Sequence, residues 1–159
     1  MEQTLELDVA TMFRDATMQS VVLELRTPAD WDHFNEVDQT AKQREMDEVQ
    51  DYTNNKDQRL TDARKELIDK AGALTHEHPT PFGTDRFNKS DIDRQAKIKV
   101  ENDHQTCLLG ILQDEAEAYS ELTGDIRARE GLRDHARDDF NITTDRRDGA
   151  DRRMPTRTR

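Results

Sequence analysis

Cysteine, glycine and aromatic side chains are all scarce in this chain, and each shortage excludes something. One cysteine, Cys107, cannot form a disulfide within the chain, so a disulfide-stapled scaffold is out. The first glycine is Gly72, so the first 71 residues lack the residue that tight hairpin turns most often require. That disfavours an antiparallel sheet in the first half and favours long helices. Aromatics make up 5% and all hydrophobic residues 32%, too little to fill a thick globular core or a layered sheet enzyme. No apolar run approaches the roughly 18 to 20 residues that span a bilayer. The opening residues, Met1 to Asp8, are acidic where a secretory leader is basic and then apolar. The expectation is therefore a soluble chain, cytoplasmic, or carried in a virion if the source is viral.

What the chain does have is charge. Charged residues make up 37% of its 159 residues, and the net charge is −11. Its mean hydropathy is −1.09. Residues 145–159 hold six arginines against three aspartates, which leaves the first 144 residues with 18 basic and 32 acidic side chains. An acidic body of this kind repels nucleic acid and anionic membrane, so only the basic tail is a candidate contact for either.

Helical signals organise the rest. Thr27-Pro28-Ala29-Asp30 combines a capping threonine, a proline suited to the first helical position and an acid where a capping box needs it. Apolar residues then recur at three- and four-residue spacings from Trp31 and Phe34 through Leu67 and Ala71, and Gly72 suits a helix end. Ser90-Asp91-Ile92-Asp93 opens a second stripe that runs through Ile92, Val100, Ile111, Tyr119, Ile126 and Phe140. These patterns predict helices over about 28–72 and 91–140, with a Pro- and Gly-containing loop at 73–90. Gly124 and Gly131 are expected to bend or break the second helix. Two long helices of similar length joined by a loop predict an all-α fold, a coiled-coil-like antiparallel hairpin over 27–144. It is flanked by an N-terminal packing segment, 1–26, and an extended Arg-rich tail, 145–159. The N-terminal segment reads two ways. Leu5, Leu7 and Val9 alternate as in a strand, whereas a helix over 9–25 collects Val9, Met12, Phe13, Ala16 and Leu23; the helix is the preferred reading.

A loop centred near Phe82 places residue i opposite roughly residue 164 − i. Leu67 then meets Ala96 or Lys97, Met46 meets Ala118, Val37 meets Ile126 and Trp31 meets Leu132 or Arg133. One stretch fails to match: the polar run 53–59 faces Cys107-Leu108-Leu109-Gly110-Ile111-Leu112, the most apolar run in the protein. Burial is worth roughly 25 cal/mol per Å², so that run needs a cover, either the N-terminal segment or a partner chain. Leu108, Leu109, Ile111, Leu112, Trp31 and Phe34 are the partner-contact candidates. Arg146, Arg147, Arg152, Arg153 and Arg157 are the candidates for docking the tail onto an acidic protein surface, since arginine forks hold carboxylates bidentately.

Catalytic signals are thin. The sequence holds no phosphate loop, dinucleotide fingerprint, nucleophile elbow, metalloprotease helix or paired-cysteine zinc motif. His76-Glu77-His78, with Asp85, is the one metal-like cluster, and it reads as a loop lacking the ligand geometry a site requires. His104 reads as a partly buried hairpin residue and Cys107 as a buried structural thiol. The expected function is non-enzymatic: a helical assembly protein with no cofactor and no metal. Its partners would be other protein subunits, a second copy of itself included. An acidic helical body with a basic C-terminus is similar to viral scaffolding and head or tail accessory proteins, so a phage structural role is the concrete expectation. The alternative is a regulatory hairpin that inserts its tip, with Phe82, Asp85 and Asp91, into a polymerase or ATPase.

Overall fold

The computed structural model describes the backbone of residues 2–77 and 89–151, and side chains over 4–72 and 89–137. Three α-helices and no strand occur among the described residues: α1 (Glu2–Val22), α2 (Pro28–Glu77) and α3 (Lys89–Asp151). The strand reading of the N-terminus is thereby removed.

The turn between α1 and α2 is built by the expected capping box. Asp30 Oδ2 accepts from the Arg26 and Thr27 amides at 3.1 and 3.0 Å, while the Asp30 amide lies 3.2 Å from Thr27 Oγ1 as its donor. These bonds satisfy amides that the first turn of a helix otherwise leaves orphaned. Arg129 of α3 adds a fork, with Nη1 to Oδ1 at 2.7 Å and Nη2 to Oδ2 at 2.8 Å. Asp30 is 5% exposed, so this carboxylate is fully engaged and buried.

Helix α3 is the common support, because α1 and α2 each pack on it and not on one another's backbone. Along α2 the contacts run in opposite sequence order: Glu66 with Lys99, Arg44 with Asp114, Asp30 with Arg129. Along α1 they run in the same order: Arg14 with Glu115, then Glu24 with Arg127. Where all three helices meet, Val21, Tyr119, Leu122 and Ile126 form a buried cluster, with Met18, Leu25, Phe34 and Val37 packed against it. A second cluster of Ala63, Ala96 and Val100, joined by Tyr52, Leu60 and Leu67, holds α2 to α3 farther along.

Several sequence expectations need correction. Helix α2 runs through Gly72 to Glu77, and α3 runs through Gly124 and Gly131 without a break. Isolated glycines cost a helix only about 1 kcal/mol each, less than tertiary packing and neighbouring turns supply. Helix α3 also continues past 140 to Asp151, so 145–151 are helical and not extended; no proline interrupts the chain before Pro155. Residues 152–159 lie outside the described residues, as does most of the expected loop.

Pairing differs too. Tyr52 stacks on His104, with ring centroids 3.9 Å apart, where a loop-centred register would put it against Leu112. The register follows side-chain fit and the Asp30–Arg129 pair, not the loop midpoint. Inside α2, Asn55 leaves helical geometry at φ −113°, ψ 15°. Arg59 spans that break, with Nη1 3.0 Å from Glu48 Oε1 and a further bond to Asp51. Trp31 packs edge-on against Phe34 at 6.0 Å, and Leu132 is 72% exposed, so the expected Trp31–Leu132 contact is not a packed one.

Two outcomes follow from this arrangement. A Cβ built on Gly131 meets nothing within 4 Å, so Gly131→Ala will stabilise the fold by up to about 1 kcal/mol in urea denaturation monitored by helicity. Asp30 is held well below the usual carboxylate range, first by the Arg129 hydrogen bond, against the opposing effect of burial, with the Thr27 and Arg26 amides assisting. A lowered folded-state value contributes stability that is present above the unfolded Asp value of about 3.9 and is lost as pH falls through the folded one. Urea midpoints measured downward from pH 5 will therefore fall for the native chain. They will fall less steeply for Asp30→Asn, which starts from a lower midpoint.

Candidate interaction surface

Helix α1 carries apolar residues on two opposite faces. Leu7, Ala10, Arg14, Met18 and Val21 recur at three- and four-residue spacings and are buried or half-buried, and Met18 and Val21 belong to the Tyr119 cluster. Within that face Arg14 Nη1 lies 3.1 Å from Glu115 Oε2, and the Tyr119 hydroxyl donates to Glu115 Oε1 at 2.9 Å. Desolvation first, and Glu115 second, pushes the Tyr119 phenol far above its ordinary range. The acid, the base and the phenol form one closed structural group.

The opposite face of α1 is bare. Leu5 is 67% exposed, Val9 58%, Met12 71%, Phe13 63% and Leu23, just past the helix, 82%. Leu5, Val9, Met12, Ala16 and Leu23 keep to one heptad-like line, the spacing with which helices pack on other helices. Phe13 flanks that line. Beside it a groove of about 630 Å³ opens between α1 and α3, lined by Leu5, Val9, Ala10 and Phe13 on one side and Leu109 and Gln113 on the other. Four large apolar side chains clustered over residues 5–13 of α1, with Leu23 beyond Gln19 and the helix end, exceed what a soluble surface scatters singly.

The expected contact residues are partly absorbed by the chain's own packing. Ile111 is 6% exposed and belongs to the core, while Leu108, Leu109 and Leu112 are half-buried. Phe34 is half-buried and stacks on Tyr119 at 5.2 Å. Trp31 remains 45% exposed. The structure thus moves the principal bare apolar surface from α3 to α1, because α1 lies along α3 beside Leu109. Arg146 and Arg147 fall on the α3 backbone, and Arg152, Arg153 and Arg157 lie outside the described residues, as do His78, Phe82 and Asp85. His76 falls in the last turn of α2, and Asp91, exposed in the first turn of α3, pairs with Arg94 at 3.3 Å.

The most chemically varied cluster sits beside the Asn55 break. Glu48 accepts the Arg59 fork and lies 2.9 Å from His104 Nδ1, and Lys56 and Arg59 stand over the Tyr52 ring at 5.3 and 5.7 Å. The Arg59 hydrogen bonds, against burial and with help from His104, hold the Glu48 carboxyl below its usual range, so it is a poor general base. Cys107, expected to be buried, is exposed, in a groove it shares with Glu48 and Arg59 of α2. Partial desolvation, and then Glu48, nonetheless raise its thiol, outweighing Arg59 and Arg44. No group of three or more His, Cys, Asp or Glu side chains with metal-binding geometry occurs among the described residues. No helix among them is long and apolar enough to cross a membrane.

Comparison with protein-family models, with curated proteins and with solved structures returns no match.

The Cys107 environment has a direct readout. Its alkylation by iodoacetamide at pH 7.5 will be slower than that of free glutathione despite its exposure, and Glu48→Gln will accelerate it. A Cys107 that outpaces glutathione would contradict the raised thiol.

Proposed function

We propose that this chain is a non-enzymatic helical assembly protein that joins a larger protein complex. In this reading α2 and α3 form an antiparallel, coiled-coil-like hairpin, α1 is the element that meets a neighbour, and the acidic body keeps the surface clear of nucleic acid. The observation that carries the reading is the bare apolar group Leu5, Val9, Met12 and Phe13, on a helix whose other face is already packed, with Leu23 bare just past its end. The engaged state of Glu48 and Glu115 and the raised thiol of Cys107 support it from the other side, because each group is committed to structure. The layout of an acidic helical body with a basic C-terminal segment is the basis for assigning it, by analogy alone, to a phage virion or to a scaffolding or accessory component.

The test is sedimentation from extracts of the native host. The native chain is expected in fractions far heavier than its own 18.5 kDa, and Val9→Asp with Leu23→Asp is expected to return it to light fractions with helicity intact. A native chain that sediments alone would overturn the reading.

A further inference from the structure

Two cavities lie in line along one side of the α1–α3 seam. The groove of Leu5, Val9, Phe13 and Leu109 is followed by a second, of about 450 Å³, lined by Ala16, Thr17, Ser20, Ser120 and Gly124, with Arg127 at its end. From Leu5 to Ser20 the two together run about 22 Å, four turns at 1.5 Å per residue. Charge is nearly missing from this line. Glu6 at one end and Arg127 at the other are the charged residues that line it, in a chain of which 37% is charged. The grooves between α2 and α3 differ: Glu36, Arg44 and Asp114 line one, and Arg59, Glu66 and Lys99 another.

An open groove four turns long is shaped for a rod and not for a small molecule, which needs enclosure. Its first half presents bulky apolar side chains, and its second presents nothing larger than threonine before Arg127. Side chains that small let another helix come close, while the bulky half takes leucine-sized neighbours. Direction follows from α1 and α3, which run the same way here: Arg14 pairs with Glu115, then Glu24 with Arg127. A helix running against both sets its positive N-terminal end beside the negative end of α1 at Val22, and its last turn reaches Glu6.

The uncompensated charge around the groove is acidic. Arg127 is already held by Glu24, with Nε 2.9 Å from Oε2. Glu6, and Glu117 one turn beyond Gln113, are exposed and form no ion pair with a described residue. On the other flank of α1, Asp8 adds the same sign, and Asp15 is held by Arg14 at 2.9 Å. Complementarity therefore requires cations on the occupant, and lysine or arginine in a last helical turn is also favoured by that helix's own dipole.

We infer that the α1–α3 groove docks one amphipathic α-helix of a different protein, about four turns long and antiparallel to α1, with small residues in its first half, leucine-sized residues in its second and basic residues in its last turn. The inference rests on the assembly reading and names the chemistry of the partner within it.

A fluorescein-labelled synthetic helix of about 18 residues is the probe, with alanines on its inner face over the first two turns, leucines over the last two and lysines in the last turn. Titrated with the purified full chain at about 0.15 M salt, its anisotropy is expected to report a micromolar Kd. Two comparison peptides, one with glutamates for the lysines and one with the sequence reversed, should bind at least tenfold more weakly. Phe13→Asp and Ser120→Tyr, both at exposed positions, should each weaken the lysine peptide at least tenfold with helicity unchanged. Glu6→Lys should shift the preference toward the glutamate peptide. No binding up to about 1 mM overturns the inference, and so does equal binding of all three peptides or a complex indifferent to both Phe13→Asp and Ser120→Tyr. A purified chain that sediments as a dimer and returns to 18.5 kDa with Ser120→Tyr overturns it in favour of a second copy. Each of these failures leaves the extract sedimentation above to judge the assembly reading independently, since a larger complex can form through other surfaces.

Discussion

The carboxylate of Asp30 takes four hydrogen bonds from three residues: the Arg26 and Thr27 amides before it and both terminal nitrogens of Arg129, 99 residues away. Three consequences follow from one buried charge. The first turn of α2 is capped, the reversal over 23–27 is held closed, and the relative position of α2 and α3 is set to within a side chain. An acid this buried is tolerable only with such complete pairing, so any shift of α3 by a residue would leave it uncompensated. The apolar cluster around Tyr119 takes Leu25 and Phe34 from either side of this latch.

From that point the fold thins outward. Around residues 109–127 of α3 three helices share a core that includes the fully buried Tyr119 and Val21. Toward the other end of α2 only two helices pair, the buried residues shrink to Ala63, Ala96 and Val100, and ion pairs such as Glu66 with Lys99 and Arg64 with Asp93 supply the rest. Beyond Arg129, residues 131–137 of α3 are exposed. A chain with 32% hydrophobic residues cannot do otherwise, because two paired helices have no interior beyond one seam.

That thinness bears on function through what is occupied and what is bare. The titratable groups in apolar surroundings are bound to one another: Glu115 to Arg14 and Tyr119, Glu48 to Arg59 and His104. The first pairing raises the Tyr119 phenol, after burial, and the second lowers the Glu48 carboxyl. Among the described residues, exposed large apolar side chains are most numerous on α1. An exposed stripe with helical spacing is better suited to another helix than to a small molecule, since the groove beside it is open and offers only Glu6 and Gln113 as polar contacts.

Much of this was readable in advance, for local reasons. The capping box at Thr27 and Asp30, the two long helices and the stripe from Phe34 to Leu67 are short-range signals, because helix caps and 3.6-residue spacing are written within a few turns of chain. The strand-like alternation of Leu5, Leu7 and Val9, the reading set second to a helix, has a physical origin: it is two helical stripes superposed, Leu7 half-buried while Leu5 and Val9 are exposed. Other features depended on contacts distant in sequence. The Tyr52–His104 stack, the capture of Asp30 by Arg129 and the partial cover over Leu108 to Leu112 all follow from how α1 and α2 settle on α3, and no spacing within one helix encodes that choice. Composition and periodicity by themselves determined that the chain is helical, thin and acidic. Only the tertiary structure decided which apolar residues the chain keeps for itself, because burial is a property of the neighbour a side chain meets.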